Sequence, residues 1–511
     1  MQQAKKVVNN TAILNVQMML TVTASLYITR LLLLALGDEN FGIFNLILGT
    51  IGLFSFLNAA MTASSQRFMS YATGQDIIVK QKNIFNTSIV LHLFIGIVVV
   101  VLLEILGYFT FNYIFNIPEN KIDIAKAVYQ FLIINAFFSV ISVPYDAVIN
   151  ARENMFFVAV LKIIQTLLLL ASAFYITYSQ YDKLFVYALL FTVITIIIFF
   201  IRQIYCHLRY EEVVINIRKY KNKKIFTEMY THAFWCLFGS TSSIISMQGI
   251  TLILNNFFGV IVNAAQGISN QISGQVMAFS NSMLKSLNPV IVKSEGASDR
   301  KMMLLASITG NKFSFFLLAF FSIPIIIEMP FVLKIWLKNV PDYTAIFCRL
   351  TILRLMLSQL SVTFPTAIGA TNKIKLSQLV ESSIYIFLLP ICYLMLKNGF
   401  SAEIIYINLI IMAVALFISR IYFTHKLCGL LVKRYFKDIV FRCVFISIVT
   451  SSIALIPLFF MSEGIIRLII VIISSVIVFT TMIFNFGLNK IEKKMIYSVH
   501  KDIVQKIRKN D

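Results

Sequence analysis

The stretch IFNTSIVLHLFIGIVVVVLLEILGYFTF, residues 84–111, decides the class of fold. It carries one carboxylate, Glu104, one imidazole, His92, and no lysine or arginine. A helix rises about 1.5 Å per residue, and about 20 apolar residues cross a hydrocarbon core, so this run is long enough to span. Working outward, similar runs fall at about 10–36, 41–64, 127–149, 155–178 and 184–204. After a basic break at Arg209–Lys224 they resume at 230–254, 260–288, 303–327, 343–370, 376–396 and 401–424. A second basic break precedes 440–461 and 465–487. The pattern predicts an all-α polytopic membrane protein of about fourteen transmembrane helices. The expected divisions are an N-lobe over 1–208, a basic linker over 209–229, a C-lobe over 230–425, two extra spans over 426–487 and a tail over 488–511.

Composition agrees. Of 511 residues, 59% are hydrophobic and 13% charged, against roughly half and a quarter in globular chains. That excludes a soluble enzyme, a disordered chain and a fibrous repeat. The 44 Lys and Arg against 23 Asp and Glu give a formal charge of +21. The basic residues sit in the breaks between apolar runs, which points to lipid headgroups and away from nucleic acid. With the N-terminus inside, 31 of them fall on inner segments and 8 on outer ones, leaving five within spans. This bias places both termini in the cytoplasm.

Lys5 and Lys6 lead into an apolar run that outlasts a signal peptide, so the first span is expected to be retained. The six cysteines (206, 236, 348, 392, 428, 443) have neither metal nor redox spacing and read as small apolar fillers. In the tail, Leu488, Ile491, Met495, Val499 and Ile503 recur at helical spacing between lysines, predicting an amphipathic helix on the inner membrane face.

The two six-span blocks look like copies. Gly37 and Gly259 stand at the same spacing as Gly74 and Gly296, and Pro144 and Pro365 stand one residue closer. An even number of spans per copy gives both the same orientation, the parallel-repeat plan of many transporters.

Polar side chains inside the spans mark the candidate site. Span eight holds Asn263, Gln266, Asn270, Ser273 and Asn281 near one face, span two holds Asn58, Thr62, Ser65 and Gln66, and span one Asn15, Ser25 and Thr29. Facing lipid, these groups would go unsatisfied, so they are expected to line protein or a hydrated cavity. Interhelical bonding is the plainer use of such groups, but the density in span eight favours a cavity. Basic residues at membrane depth are Arg30, Lys162, Lys285, Lys312, Arg349 and Arg354, with Arg67 at the inner end of span two. Each costs about 2.5–3.5 kcal/mol at mid-helix, so several together suggest an anionic ligand, with snorkelling the alternative for Arg67, Lys162 and Lys285. The acids are fewer: Glu104, Asp146 and Glu381, with Glu328 at an outer boundary. Asp146 and Glu381 are candidates for ion coupling or for structural ion pairs. His92 reads as a packing residue. There is no phosphate-binding loop, no HExxH motif and no large outer loop, so no enzyme activity and no cofactor are expected.

The segments SLYITRLLLLALG (25–37), NFGIFN (40–45) and SSQRFMSY (64–71) resemble Wzx-type polysaccharide flippases, which carry O-antigen or capsule repeat units. These belong to the MOP exporter superfamily, alongside MATE drug exporters and lipid II flippases. The resemblance implies a V-shaped bundle of two lobes, spans one to six and seven to twelve, plus two extra spans. It implies movement of undecaprenyl-diphosphate-linked oligosaccharide to the outer leaflet by alternating access, for surface polysaccharide (lipopolysaccharide) biosynthesis. Partners would be that lipid-linked oligosaccharide, membrane lipids and the polysaccharide polymerase machinery. Essential basic positions on spans one, two and eight would correspond to Arg30, Arg67 and Lys285, the last a lysine without a bidentate fork. On this reading Arg30, Arg67, Lys285, Lys312 and Arg354 face the diphosphate. Asn58, Gln66, Asn263, Gln266, Asn270 and Asn281 face the sugars. The alternatives are an ion-coupled multidrug exporter of the same fold, which would favour cavity carboxylates, and a membrane glycosyltransferase or polymerase, which would need a sizeable outer loop.

Overall fold

A computed structural model describes every residue except Met1, Leu53, Asn116, Lys221, Lys338, Asn339, Lys490, Ile491 and 494–511. The described residues form helices and no strands. Among the described residues, twelve helices are long and apolar enough to cross a membrane, and a bent pair, Glu39–Gly52 with Leu57–Gln75, angled by 50°, brings the number to thirteen if the pair counts as one span. The expected fourteenth, 260–288, is present as helix but is not apolar enough to join them. It continues from the Lys223–Gly259 span inside one helical run, Lys223–Gly296. The two segments that depart from a plain span are thus the second of each proposed copy.

The breaks left between 10–36 and 41–64 and between 230–254 and 260–288 lie inside continuous helical runs. A single glycine takes the place of a loop in each. Gly37 (φ 74°, ψ 167°) interrupts the run Gln2–Gly52, and Gly259 (φ 74°, ψ −165°) interrupts Lys223–Gly296. That corner of backbone space is open to glycine and costs other residues about 1–3 kcal/mol. The correspondence continues downstream. Asp76 (φ 55°) and Ser298 (φ 61°), at the same spacing as the two glycines, both adopt left-handed backbone where their helices end.

Pro144 and Pro365 both open a second helical segment within a broken span. Glu119–Ala151 divides into Ile122–Ile141 and Val143–Ala151, and Thr344–Ala370 into Thr344–Gln359 and Phe364–Ala370. In lipid a break must have its backbone satisfied from elsewhere. At the second break the side chain of Asn311 accepts from the Thr363 N–H (2.8 Å) and hydroxyl (2.9 Å). The Tyr435 hydroxyl donates to the Leu360 carbonyl. Arg349 similarly donates to the carbonyls of Ile326 (2.9 Å) and Ile327 (3.4 Å), at the end of Arg300–Ile327.

The chain divides into two compact units: Ala12–Ser240 with Val292–Asp299, and Met1–Thr11, Thr241–Ile291 and Arg300–Asp511. In the first, one apolar cluster gathers Leu36, Phe44, Leu103, Tyr129 and Tyr187, and another Phe85, Tyr145, Val148 and Met229. Its segment after Arg209 is docked. Arg152 donates to both Glu212 oxygens (2.7 and 2.8 Å) and to Gln81, and this bonding to Glu212 pushes its pKa up. The Asn86 side chain bonds the backbone of Val214 and Asn216. In the second unit, Phe316, Ile352, Phe364, Tyr435 and Phe479 belong to one core, and Leu254, Phe347, Tyr406 and Leu409 to another. Five of the six free cysteines are buried, as fillers should be, and Cys236 is half-buried.

The last two spans are Val432–Phe460 and Ile465–Gly487. Beyond them, Asn489 and Glu492 exchange bonds: the Asn489 N–H donates to Glu492 Oε2 (2.7 Å) and the Glu492 N–H to Asn489 Oδ1 (2.8 Å). This reciprocal pattern is the one that starts a helix. The rest of the predicted amphipathic tail, with Met495, Val499 and Ile503, lies outside the described residues, as does Ile491.

Candidate functional site

Polar side chains of the second unit meet in a cavity of about 260 Å3 lined by Met247, Ile250, Gln266, Asn270, Thr351, Arg354, Tyr406 and Leu409. Four helical segments build it. Met247 and Ile250 precede the Gly259 interruption and Gln266 and Asn270 follow it on the same run, one helical turn apart. Thr351 and Arg354 share a face of Thr344–Gln359, and Tyr406 and Leu409 a face of Glu403–Cys428. Tyr406 is fixed by stacking on Phe347, with ring centroids 4.1 Å apart at 22°. Thr351 is held by a 2.8 Å hydroxyl contact with Ser269.

Part of this wall has nothing to bond. Arg354 Nε, Gln266 Oε1 and the Tyr406 hydroxyl are buried with no hydrogen-bond partner, and Gln266 is 7% exposed. No carboxylate pairs with Arg354 among the described residues. Arg354 is half-buried, and a shielded guanidinium N–H with neither counter-ion nor hydrogen bond is costly unless a ligand completes it.

The other basic candidates sit differently. Arg30 is exposed on Lys6–Gly37 and makes no ion pair among the described residues. Arg67 is buried, its guanidinium 4.4 Å from the Phe68 ring centroid and 5.0 Å from that of Tyr71. Lys285 is exposed on Lys223–Gly296. Lys312 is 3% exposed and already saturated: its ammonium donates to Glu492 Oε1 (2.6 Å) and Oε2 (2.5 Å) and to the Gly487 carbonyl (3.2 Å).

The membrane-depth acids are also taken up. Asp146 pairs with Arg202 (3.1 Å), Glu381 with Arg420 (3.1 Å) and Glu328 with Arg467 (2.8 Å). Glu104 accepts from Gln130 at 3.2 Å. Among the amides, Gln266 and Asn270 reach the cavity. Asn263 and Asn58 each carry a buried oxygen without a partner, Gln66 is half-buried and Asn281 exposed. His92 is buried, with its Nδ1 2.7 Å from the Ser88 carbonyl. Sequence reasoning missed Thr351 and Tyr406. Thr351 lies one turn from Arg354 and was legible by spacing, whereas Tyr406 reaches the cavity from another span and left no local signal.

No protein-family model matches the sequence, and no curated protein matches it. Solved structures do match in fold. A MATE protein in its bent conformation aligns with TM-score 0.72 at 13% identity, over 84% of this chain and 96% of that one. The outward-facing conformation of a multidrug resistance MATE family transporter of the MOP superfamily gives TM-score 0.72 at 12% identity, over 84% and 96%. A MOP superfamily transporter from Pyrococcus furiosus, described as having a binding pocket of reverse polarity, gives 0.67 at 12%, over 83% and 96%. These neighbours are covered almost whole. The chain therefore has the all-α, multi-pass fold of the MATE transporters of the MOP superfamily.

Proposed function

We propose that the protein is an exporter working by alternating access, and that its cargo is an anionic lipid-linked oligosaccharide moved from the inner to the outer leaflet of a bacterial cytoplasmic membrane. The observation that carries this reading is the polarity left over after pairing. Asp146, Glu381 and Glu328 are each neutralised by an arginine, while Arg354 stays uncompensated beside amides in a membrane-depth cavity. A cation exporter needs the opposite, a free carboxylate facing its cavity. The resemblance of segments 25–37, 40–45 and 64–71 to polysaccharide flippases assigns the diphosphate to Arg30, Arg67 and Lys285. The amide stripes of spans two and eight, Asn58, Gln66, Asn263, Gln266, Asn270 and Asn281, would hydrogen-bond the sugars. Surface-polysaccharide biosynthesis, and the polymerase machinery as a later partner, follow from that assignment.

The test is complementation in a strain lacking this gene. Normal surface polysaccharide should return with the wild-type chain and be lost with Arg30→Ala or Lys285→Ala at matched expression. Unchanged polysaccharide in both variants would refute the diphosphate assignment. Drug resistance without any polysaccharide phenotype would favour the multidrug reading.

A further inference from the structure

We infer that the cavity around Arg354 is a subsite for one acidic sugar, binding its carboxylate through Arg354 and its hydroxyls through Gln266, Asn270 and Tyr406. The inference rests on the export reading for its biological setting but not for its geometry, which lies wholly within one compact unit.

Size sets the first limit. A volume of about 260 Å3 falls below the about 300–1,000 Å3 of drug-sized sites, so one ring fits and an oligosaccharide does not. Charge sets the second. The cavity offers a single guanidinium, and no lysine or second arginine lines it. A diphosphate carries at least two charges and calls for several cations or a metal, whereas a carboxylate is matched by one guanidinium. Hydrogen-bond polarity sets the third. Gln266 Oε1 is a buried acceptor without a donor. It would repel further anionic oxygens at close range but would accept from a ligand hydroxyl. An unpartnered donor, Arg354 Nε, and an unpartnered acceptor in one cavity together describe a ligand that is both anionic and hydroxylated. The apolar side chains Met247, Ile250 and Leu409 in the same wall suit the C–H face of a sugar ring.

Such a sugar could arrive as a residue of a lipid-linked oligosaccharide or as a free monosaccharide. The purified full-length protein in lipid nanodiscs, titrated calorimetrically with D-glucuronate, D-glucose and inorganic phosphate, tests the chemistry. Glucuronate should bind more tightly than either comparison ligand. Arg354→Gln should weaken glucuronate by about ten- to a hundredfold, the loss of a charge-assisted hydrogen bond, and should leave glucose unaffected. Gln266→Leu, which changes no charge, should weaken both sugars by several-fold. Equal binding of glucuronate by wild type and Arg354→Gln would overturn the subsite, as would phosphate binding at least as tightly as glucuronate, or no glucuronate binding by the wild type. Export is read separately, as surface polysaccharide in the complemented strain. Arg354-dependent glucuronate binding with polysaccharide unchanged in Arg30→Ala and Arg354→Gln would leave the subsite standing for a free acidic sugar and remove the lipid-linked cargo.

Discussion

The ammonium of Lys312 and the carboxylate of Glu492 form a buried ion pair that ties the chain beyond the last span to the middle of Arg300–Ile327. The pair is 4% and 10% exposed at its side chains, and the Gly487 carbonyl completes the ammonium's bonding. Breaking one partner of such a pair leaves the other charge stranded, at a cost of about 3–5 kcal/mol. Lys312→Met and Glu492→Gln should therefore each lower the thermal unfolding midpoint in detergent sharply. The double replacement Lys312→Met with Glu492→Leu should recover most of the loss. A double variant as unstable as the worse single would contradict the pairing.

Gly37 and Gly259 predict a matched response. Alanine at either position must adopt a backbone that glycine alone tolerates, costing about 1–3 kcal/mol. Since the two φ values are both 74°, Gly37→Ala and Gly259→Ala should destabilise by similar amounts. Thermal unfolding of the two single variants checks it, and alanine at Gly49, an exposed position within the same first helical run, serves as the control.

Asn311 is fully buried and bridges the break before Phe364, bonding the Thr363 N–H and hydroxyl and the Tyr435 hydroxyl (3.2 Å). Asn311→Leu keeps the volume but leaves a backbone N–H unsatisfied, for about 1–3 kcal/mol. Hydrogen exchange at 360–364 should rise in this variant ahead of the rest of Thr344–Ala370. Unchanged protection there would show that the break is satisfied in another way.

At Gly74 an added Cβ would overlap the Lys293 carbonyl, and at Gly296 it would overlap the Tyr71 carbonyl. Backbone cannot give way as a flexible side chain can, so alanine at either position should push the helix ends apart at about 1–3 kcal/mol. The nearby Lys293–Glu153 ion pair, 3.3 Å long, would loosen with them. Because both substitutions strain one contact, the double variant should cost less than the sum of the singles. Additive losses would mean two independent contacts.

The spans were legible because apolar runs and their basic breaks are local signals, and the interruptions at Gly37, Gly259, Pro144 and Pro365 sit where glycine and proline stand in the sequence. The helical continuity across 37–40 and 255–259 was not legible, since one residue of permissive backbone replaces a connection that spacing alone assigns to several. Arg354, Gln266 and Asn270 stood out as polar groups at membrane depth. Their company did not. Tyr406 and the Glu492 that neutralises Lys312 come from distant segments, and only tertiary packing brings them in. For the same reason Asp146 and Glu381 read equally well as coupling groups or as ion pairs until Arg202 and Arg420 were placed beside them.

The crossing at Gly74 and Gly296 has a further meaning, because Tyr71 and Lys293 stand at the same spacing in the chain as the two glycines. Each glycine touches the counterpart of the residue that its own counterpart touches. The ends of Ser55–Gln75 and Lys223–Gly296 are therefore locked by two close approaches that mirror each other, so a side chain can be added to neither glycine unless both helix ends are remodelled together.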